Sequence, residues 1–214
     1  MQIKNYFTTP LLYEETKEIL LCEKLEKFIL GSMNEKTEIK NAPQSSHPDL
    51  FESEFDFLNW NTPLTNQLKQ LILEYLLEFI KKVNNFDAKT IASLRFNHES
   101  WFHVVKRGGY FQAHTHPNHA WSVVFCVNPG DDNIVNEFEA GKLLCVDPRM
   151  NAAMYLDPTN THLKREFSFN GFKTKLKKGG ILIFPSYLQH SVEPYYGDEH
   201  RITVAANFRF HING

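Results

Sequence analysis

The sequence predicts a mainly β chain, a β-sandwich or barrel with helices packed outside it. Three observations carry this. After residue 90 the apolar pattern changes from helical spacing to many short β-type runs, punctuated by turn dipeptides. The first 85 residues instead hold two amphipathic helical patterns. No strand–helix–strand alternation occurs, which rejects a doubly wound sheet.

The elements follow in order. Residues 13–30 carry Ile19, Leu20, Leu21, Leu25, Phe28 and Ile29 as one stripe at helical spacing. Residues 31–61 are polar, include "NAPQSSHPDLF", and read as a long surface loop, either a lid or a homodimer contact. The second helix spans 63–83. Thr62 can cap it, Pro63 suits its first turn, and Leu64, Leu68, Leu71, Ile72, Tyr75, Leu76, Phe79, Ile80 and Val83 recur along it. The runs "ASLRFNHESWFHVV", "WSVVFCV", "GKLLCVD", "GFKTKLK", "GGILIFP" and "HRITVAANFRFHI" are then strands. Residues 1–90 are thus expected as a helical extension and 91–214 as the β core.

Composition excludes several classes of function. The chain has 214 residues and a formal net charge of −2, so no strong field draws nucleic acid or an anionic membrane. Three cysteines without a CxxC pair offer neither a zinc knuckle nor a disulfide framework, and fit a reducing, cytoplasmic setting. No apolar run approaches a membrane span, and "MQIKNYFTTPLLYEE" lacks the apolar centre of a signal peptide. The 18 phenylalanines suit a β-rich core.

The chemistry concentrates in "GGYFQAHTHPNHAW". Residues two apart on a strand point the same way, so His114 and His116 share a face and can chelate one ion. A satisfied polar rim at a barrel mouth is the plainer reading. A third imidazole comes from His190, just past the strand "GGILIFP" that Pro185 ends. The last strand alternates. Ile202, Val204, Ala206, Phe208 and Phe210 take one face, expected against the helices. Arg201, Thr203, Ala205, Asn207 and Arg209 take the other, expected to look into the barrel. An inward Arg201 needs an anion, from Asp198, Glu199 or a ligand. Imidazoles suit iron, zinc, copper or nickel, and an Arg fork suits a carboxylate. A metal with a carboxylate-bearing cosubstrate accounts for all four residues.

The segments "WFHVVKRGGYFQAHTHPNHAWSVVFCVNPG", "LLCVDPRM", "GGILIFPSYLQHSVEPYYGDEHRITVAANF" and "YFTTPLL" resemble a family. It is that of the 2-oxoglutarate- and Fe(II)-dependent oxygenases distantly similar to prolyl 4-hydroxylase, of the phage and marine bacterial type. The resemblance implies a double-stranded β-helix, or jelly roll, packed against the two helices. It implies His114 and His190 as Fe(II) ligands and Arg201 on the distal carboxylate of 2-oxoglutarate, with Thr203 adding a hydroxyl. It implies hydroxylation of a small-molecule or peptide substrate with O2, releasing succinate and CO2. His116 stands where the usual two-histidine, one-carboxylate site has aspartate. It is taken as the third ligand, with Asp147 and Glu193 as alternatives. His119 reads as substrate-facing or bland, and His103 as pocket-lining or structural. Trp101, Tyr110, Phe111 and Trp121 are expected near the mouth. Two other readings stand beside this one. They are a cupin-like metalloenzyme without 2-oxoglutarate, although the glutamate a cupin expects after HxH is missing, and a non-catalytic jelly-roll binding module.

Overall fold

The structure is a computed structural model and describes residues 2–34, 37–39, 49–131, 140–149 and 151–212. The part of the 31–61 segment at 35–36 and 40–48 lies outside the described residues. Among the described residues ten strands form two antiparallel sheets. The larger sheet has the order β1 (Leu12–Glu15), β8 (Gly180–Pro185), β5 (Trp121–Asn128), β10 (Arg201–Ile212), β3 (Leu94–Val105), β2 (Leu50–Glu52). The smaller has β4 (Phe111–His114), β9 (His190–Val192), β6 (Leu143–Cys145), β7 (Phe172–Thr174). The helices are α1 (Ile19–Ser32), α2 (Pro63–Val83) and the short α3 (Ala88–Ser93).

α2 has the bounds its sequence signals predict. Thr62 and Thr65 form a reciprocal capping box, and Pro63 opens the first turn, where a missing N–H costs nothing. The apolar stripes of α1 and α2 bury Leu21, Leu25, Ile29, Leu68, Ile72, Leu76 and Phe79 against Val104, Val123, Phe125, Ile181, Ile183, Ile202, Val204, Ala206 and Phe208. This is the main core, on the outer face of the larger sheet. A smaller core of Cys126, Leu143, Cys145, Leu176, Leu182, Phe184 and Leu188 joins the two sheets.

Two local readings need correction. Leu12–Glu15 begins no helix. It is an edge strand on β8, with Leu12 opposite Ile183. The 31–61 segment is not all loop either, because Leu50–Glu52 pairs with β3 and Phe57–Asn59 forms a 3-10 turn. Both strands are three or four residues long. At that length a strand shows too little alternation to be read apart from a loop, and tertiary pairing decides it.

Ile72, fully buried on α2, tests the helix–sheet core. Ile72→Ala should cost about 2–5 kcal/mol, read as a lower midpoint in urea unfolding at unchanged slope.

His98 lies on the outer face of β3 between Phe96 and Phe208, and its Nδ1 is buried without a partner. Burial, helped by Lys69, pushes its pKa from 6.5 to about 4. The unfolded chain takes this proton at higher pH than the fold does. Stability is therefore whole above about pH 6.5 and is lost as pH falls through 4. His98→Phe should flatten this acid limb relative to the wild type in urea unfolding between pH 7.5 and 4.5. An acid limb of unchanged depth would refute the assignment.

Candidate metal centre

β10 positions the site. Its twelve residues pair with β3 along their whole length and with β5 over Ile202–Phe208, so it is a central strand with both faces occupied. Its even-numbered residues from Ile202 to Phe210 enter the helix-side core. Arg201, Thr203, Ala205, Asn207 and Arg209 line a cavity of about 610 Å³ between the sheets, as the alternation predicts. That volume lies in the usual range for a small-molecule site.

His114, His116 and His190 meet in this cavity. One ligand atom from each lies within 4.8 Å of the others. Ring centroids are 4.3 Å apart for His114 and His190, 4.9 Å for His114 and His116, and 5.1 Å for His116 and His190. The last residue of β4 is opposite the first of β9, which fixes His114 beside His190. His116 arrives differently from the HxH expectation. β4 ends at His114, with a register shift between Phe111 and His114. The backbone N–H of His116 donates to the Ser186 carbonyl at 3.0 Å, so a turn rather than strand alternation delivers it.

The Nδ1 atoms of His114 and His190 lie 2.7 Å from the Gln112 carbonyl and 2.9 Å from the Leu188 carbonyl. A carbonyl only accepts, so each Nδ1 carries the hydrogen and each Nε2 lone pair is left for a cation. Burial depresses all three imidazoles, to about 3 for His116 and about 4 for His190, with neighbouring histidines adding to the effect. The cluster is neutral at pH 7, the form that ligates metal.

Arg201 is 4% exposed and borders the same cavity. Among the described residues no carboxylate pairs with it. Asp198 instead binds Arg107, at 3.0 Å. Burial lowers the guanidinium pKa from its usual value, yet an arginine stays charged, so the cavity must supply an anion. The buried Tyr195 ring and the Arg201 side chain both lie against Gly141. The Tyr195 hydroxyl accepts from the Asp131 backbone N–H at 2.9 Å.

Other expectations separate. Thr203 is buried in the cavity wall beside Arg201. Trp101 and Phe111 line the cavity, whereas Trp121 packs edge-on against Phe79 of α2. Tyr110 is not among the lining residues. Asp147 is engaged by Arg149 at 2.9 Å, and neither it nor Glu193 borders the cavity, so neither can complete the triad. His119 sits at the rim, 4.0 Å from Glu99. His103 lines the wall and accepts the Trp101 indole N–H at Nε2, 2.8 Å away. Glu52 Oε1 lies 3.1 Å from the same nitrogen. Sequence reasoning missed Glu52, which sat inside an apparent loop and becomes visible only through β2 pairing. It also missed the buried hydrogen-bonded chain Ser186–Ser122–Asn207.

Two facing sheets, three convergent imidazoles and a buried arginine define a jelly-roll metalloenzyme class that takes an anionic cosubstrate. Comparison with known proteins narrows it. A family model described as "Putative 2OG-Fe(II) oxygenase" matches residues 99–207, half of the chain. The chain belongs to the 2OG-Fe(II) oxygenase family, whose cofactors are Fe(II) and 2-oxoglutarate, and it is an enzyme of that kind. No curated protein sequence matches it. Among solved structures it resembles a prolyl-4-hydroxylase of Pseudomonas putida, with TM-score 0.63 and 14% identity over 97% of this chain and 95% of that one. It also resembles HygX from Streptomyces hygroscopicus with nickel and 2-oxoglutarate bound (TM-score 0.61, 14% identity, 94% and 83% covered). A third is a Trichoplax adhaerens prolyl hydroxylase in complex with a hypoxia inducible factor peptide fragment (0.56, 12%, 94% and 84%). At these identities the likeness establishes the fold, a double-stranded β-helix. No described helix is long and apolar enough to cross a membrane.

Gly130, at φ +78°, packs on Tyr195, and a Cβ there would fall on the tyrosine hydroxyl. Gly130→Ala should cost about 1–3 kcal/mol or more, against about 1 kcal/mol for Tyr195→Phe, read as shifts in melting temperature.

Proposed function

We propose that this chain is a hydroxylase that couples oxidation of a substrate C–H bond to the conversion of 2-oxoglutarate to succinate and CO2. We assign His114, His116 and His190 as the Fe(II) ligands and Arg201 and Thr203 as the residues holding the cosubstrate. The observation that carries this reading is the opening of a neutral three-imidazole cluster and a buried guanidinium, with no carboxylate partner among the described residues, into one cavity. Three nitrogen donors leave open positions on an Fe(II) centre, and the arginine fork matches a carboxylate.

When bound, Fe(II) and 2-oxoglutarate supply the oxidation: 2-oxoglutarate, O2 and R–H become succinate, CO2 and R–OH. The protein's own residues do the rest. Gln112 and Leu188 hold the imidazoles in one tautomer. Arg201 neutralises the far end of the dicarboxylate and Thr203 donates its hydroxyl beside it. Phe111, Leu143, Phe184 and Val192 form an apolar wall that keeps water from the reacting region. All three ligands are neutral, so this centre keeps one more positive charge than a site with a carboxylate ligand. The cosubstrate dianion and Arg201 then carry the charge balance. The reading includes a small-molecule or peptide substrate, O2 as co-reactant and a cytoplasmic setting. It takes 91–214 as the catalytic core and 1–90 as the part packed on it, which also lends β1 and β2 to the larger sheet, with 31–61 as a lid or a homodimer contact. A net charge of −2 offers no strong field to draw nucleic acid.

Anaerobic titration with Fe(II) and 2-oxoglutarate tests it. A charge-transfer band near about 500 nm should appear, as expected for bidentate cosubstrate at an open Fe(II) site. His190→Ala should abolish it. Arg201→Ala should weaken 2-oxoglutarate roughly ten- to a hundredfold, the worth of one charge-assisted contact, while Fe(II) still binds. His116→Asp should retain the band. The assignment fails if the wild type shows no band, or if both alanine variants behave as wild type.

A further inference from the structure

β10 carries a second buried donor into the same cavity. Asn207 is 2% exposed, and it borders the cavity on the face that also bears Arg201. Ser122 Oγ donates to Asn207 Oδ1 at 2.7 Å, and Ser122 and Ser186 hydroxyls are 2.9 Å apart. Ser122 has a single hydroxyl hydrogen, already committed to Asn207. Ser186 must therefore be the donor to Ser122. This chain occupies the oxygen end of the amide and so fixes which end faces the cavity. Among the described residues nothing accepts a hydrogen bond from Nδ2. The arrangement leaves Nδ2 at the cavity wall, where an acceptor that enters from the cavity can meet it.

The register locates this donor. Ala205 is opposite Trp101, whose ring lies 5.6 Å from that of His116, and Asn207 is the next residue on the same face, opposite Glu99. Arg201 is two same-face residues before Ala205, opposite Val105. The imidazole cluster thus lies between the two buried donors, which are about 20 Å apart along the strand. Ser186 also ties the two regions together, since its carbonyl accepts from the His116 backbone N–H at 3.0 Å.

We propose that Asn207 is the substrate-anchoring residue. Its Nδ2 donates to a carboxylate or amide oxygen of the substrate on the side of the triad away from Arg201. This rests on the functional reading above. Nδ2 can only donate, so the substrate must bring an acceptor oxygen; a bare hydrocarbon would leave the donor unmet. Arg209, next on the same face and exposed at the mouth, adds a second donor-only group, while Glu99 and His119 complete the rim.

The test uses protein loaded with redox-silent Zn(II) and 2-oxoglutarate, and follows the Asn207 side-chain NH2 signal by NMR. The probes are N-acetylglycinamide, N-acetylglycine and, as a control without an acceptor oxygen, propylammonium. The signal should shift saturably with the first two only. Asn207→Leu and Asn207→Asp should weaken both at least tenfold and change 2-oxoglutarate affinity less than twofold. The aspartate keeps the Ser122 bond, so it separates lost anchoring from lost folding. A shift with propylammonium alone, no saturable shift, equal probe binding by the aspartate variant, or an equal loss of 2-oxoglutarate binding overturns the proposal. Repeating the amide titration on metal-free protein keeps the outcomes apart. Failure to bind metal and 2-oxoglutarate would count against the functional reading, while the Asn207 result is still obtained.

Discussion

The structure depends on the strict alternation of β10. One strand, paired on both edges, must satisfy a dry helix-packed core on one face and a polar cavity on the other. A slip of one residue would bury Arg201 and Asn207 among α1 and α2 and turn Val204 and Phe208 into the cavity. The helices, which look like an accessory layer, therefore set the register of the cavity wall. Their apolar stripes accept only one phase of the strand, and the aromatic and aliphatic residues of that phase hold it there.

The charges of the cavity follow from that constraint. Strand alternation brings a guanidinium inside, and nothing described in the protein neutralises it. Burial keeps the three imidazoles neutral, so they do not add to its charge. A neutral donor cluster beside an uncompensated cation is an unstable arrangement for an empty cavity and a good one for a dianion bridging the two. His116 sharpens this, because a cluster of three neutral imidazoles offers no negative charge of its own to the guanidinium. Support for Arg201 is built from backbone: Tyr195 fills the space that Gly130, Gly141 and Gly197 leave open, and Asp131 accepts from the N–H groups of Asp198 and Glu199 just before the strand begins.

Much of the candidate site could be read from the chain. His114, His190, Arg201 and Thr203 lie at strand ends, and period-2 alternation, proline and glycine mark strand ends well. His116 was placed with its neighbour for an incomplete reason, because the strand stops at His114 and a backbone hydrogen bond from the Ser186 turn brings it in. Asp147 and Glu193 were plausible by residue type alone, and only position removes them. Trp121 matched Trp101 in chemistry but faces the helices, because a residue at the start of a strand does not reveal which sheet face it joins.

Local chain patterns encode the β class, the limits of α2, the two faces of β10 and the identity of the imidazoles that share the cavity. These are properties of neighbours in the chain, set by the 3.6- and 2-residue periods and by capping and turn chemistry. Tertiary structure decided the rest. Leu12–Glu15 and Leu50–Glu52 become strands only when β8 and β3 offer them edges, which brings Glu52 beside His103. Ser122, Ser186 and Asn207 become one hydrogen-bonded chain although up to 85 residues separate them. Pairing across such separations depends on which edges and surfaces are left to satisfy once local structure has formed, and no local pattern encodes that.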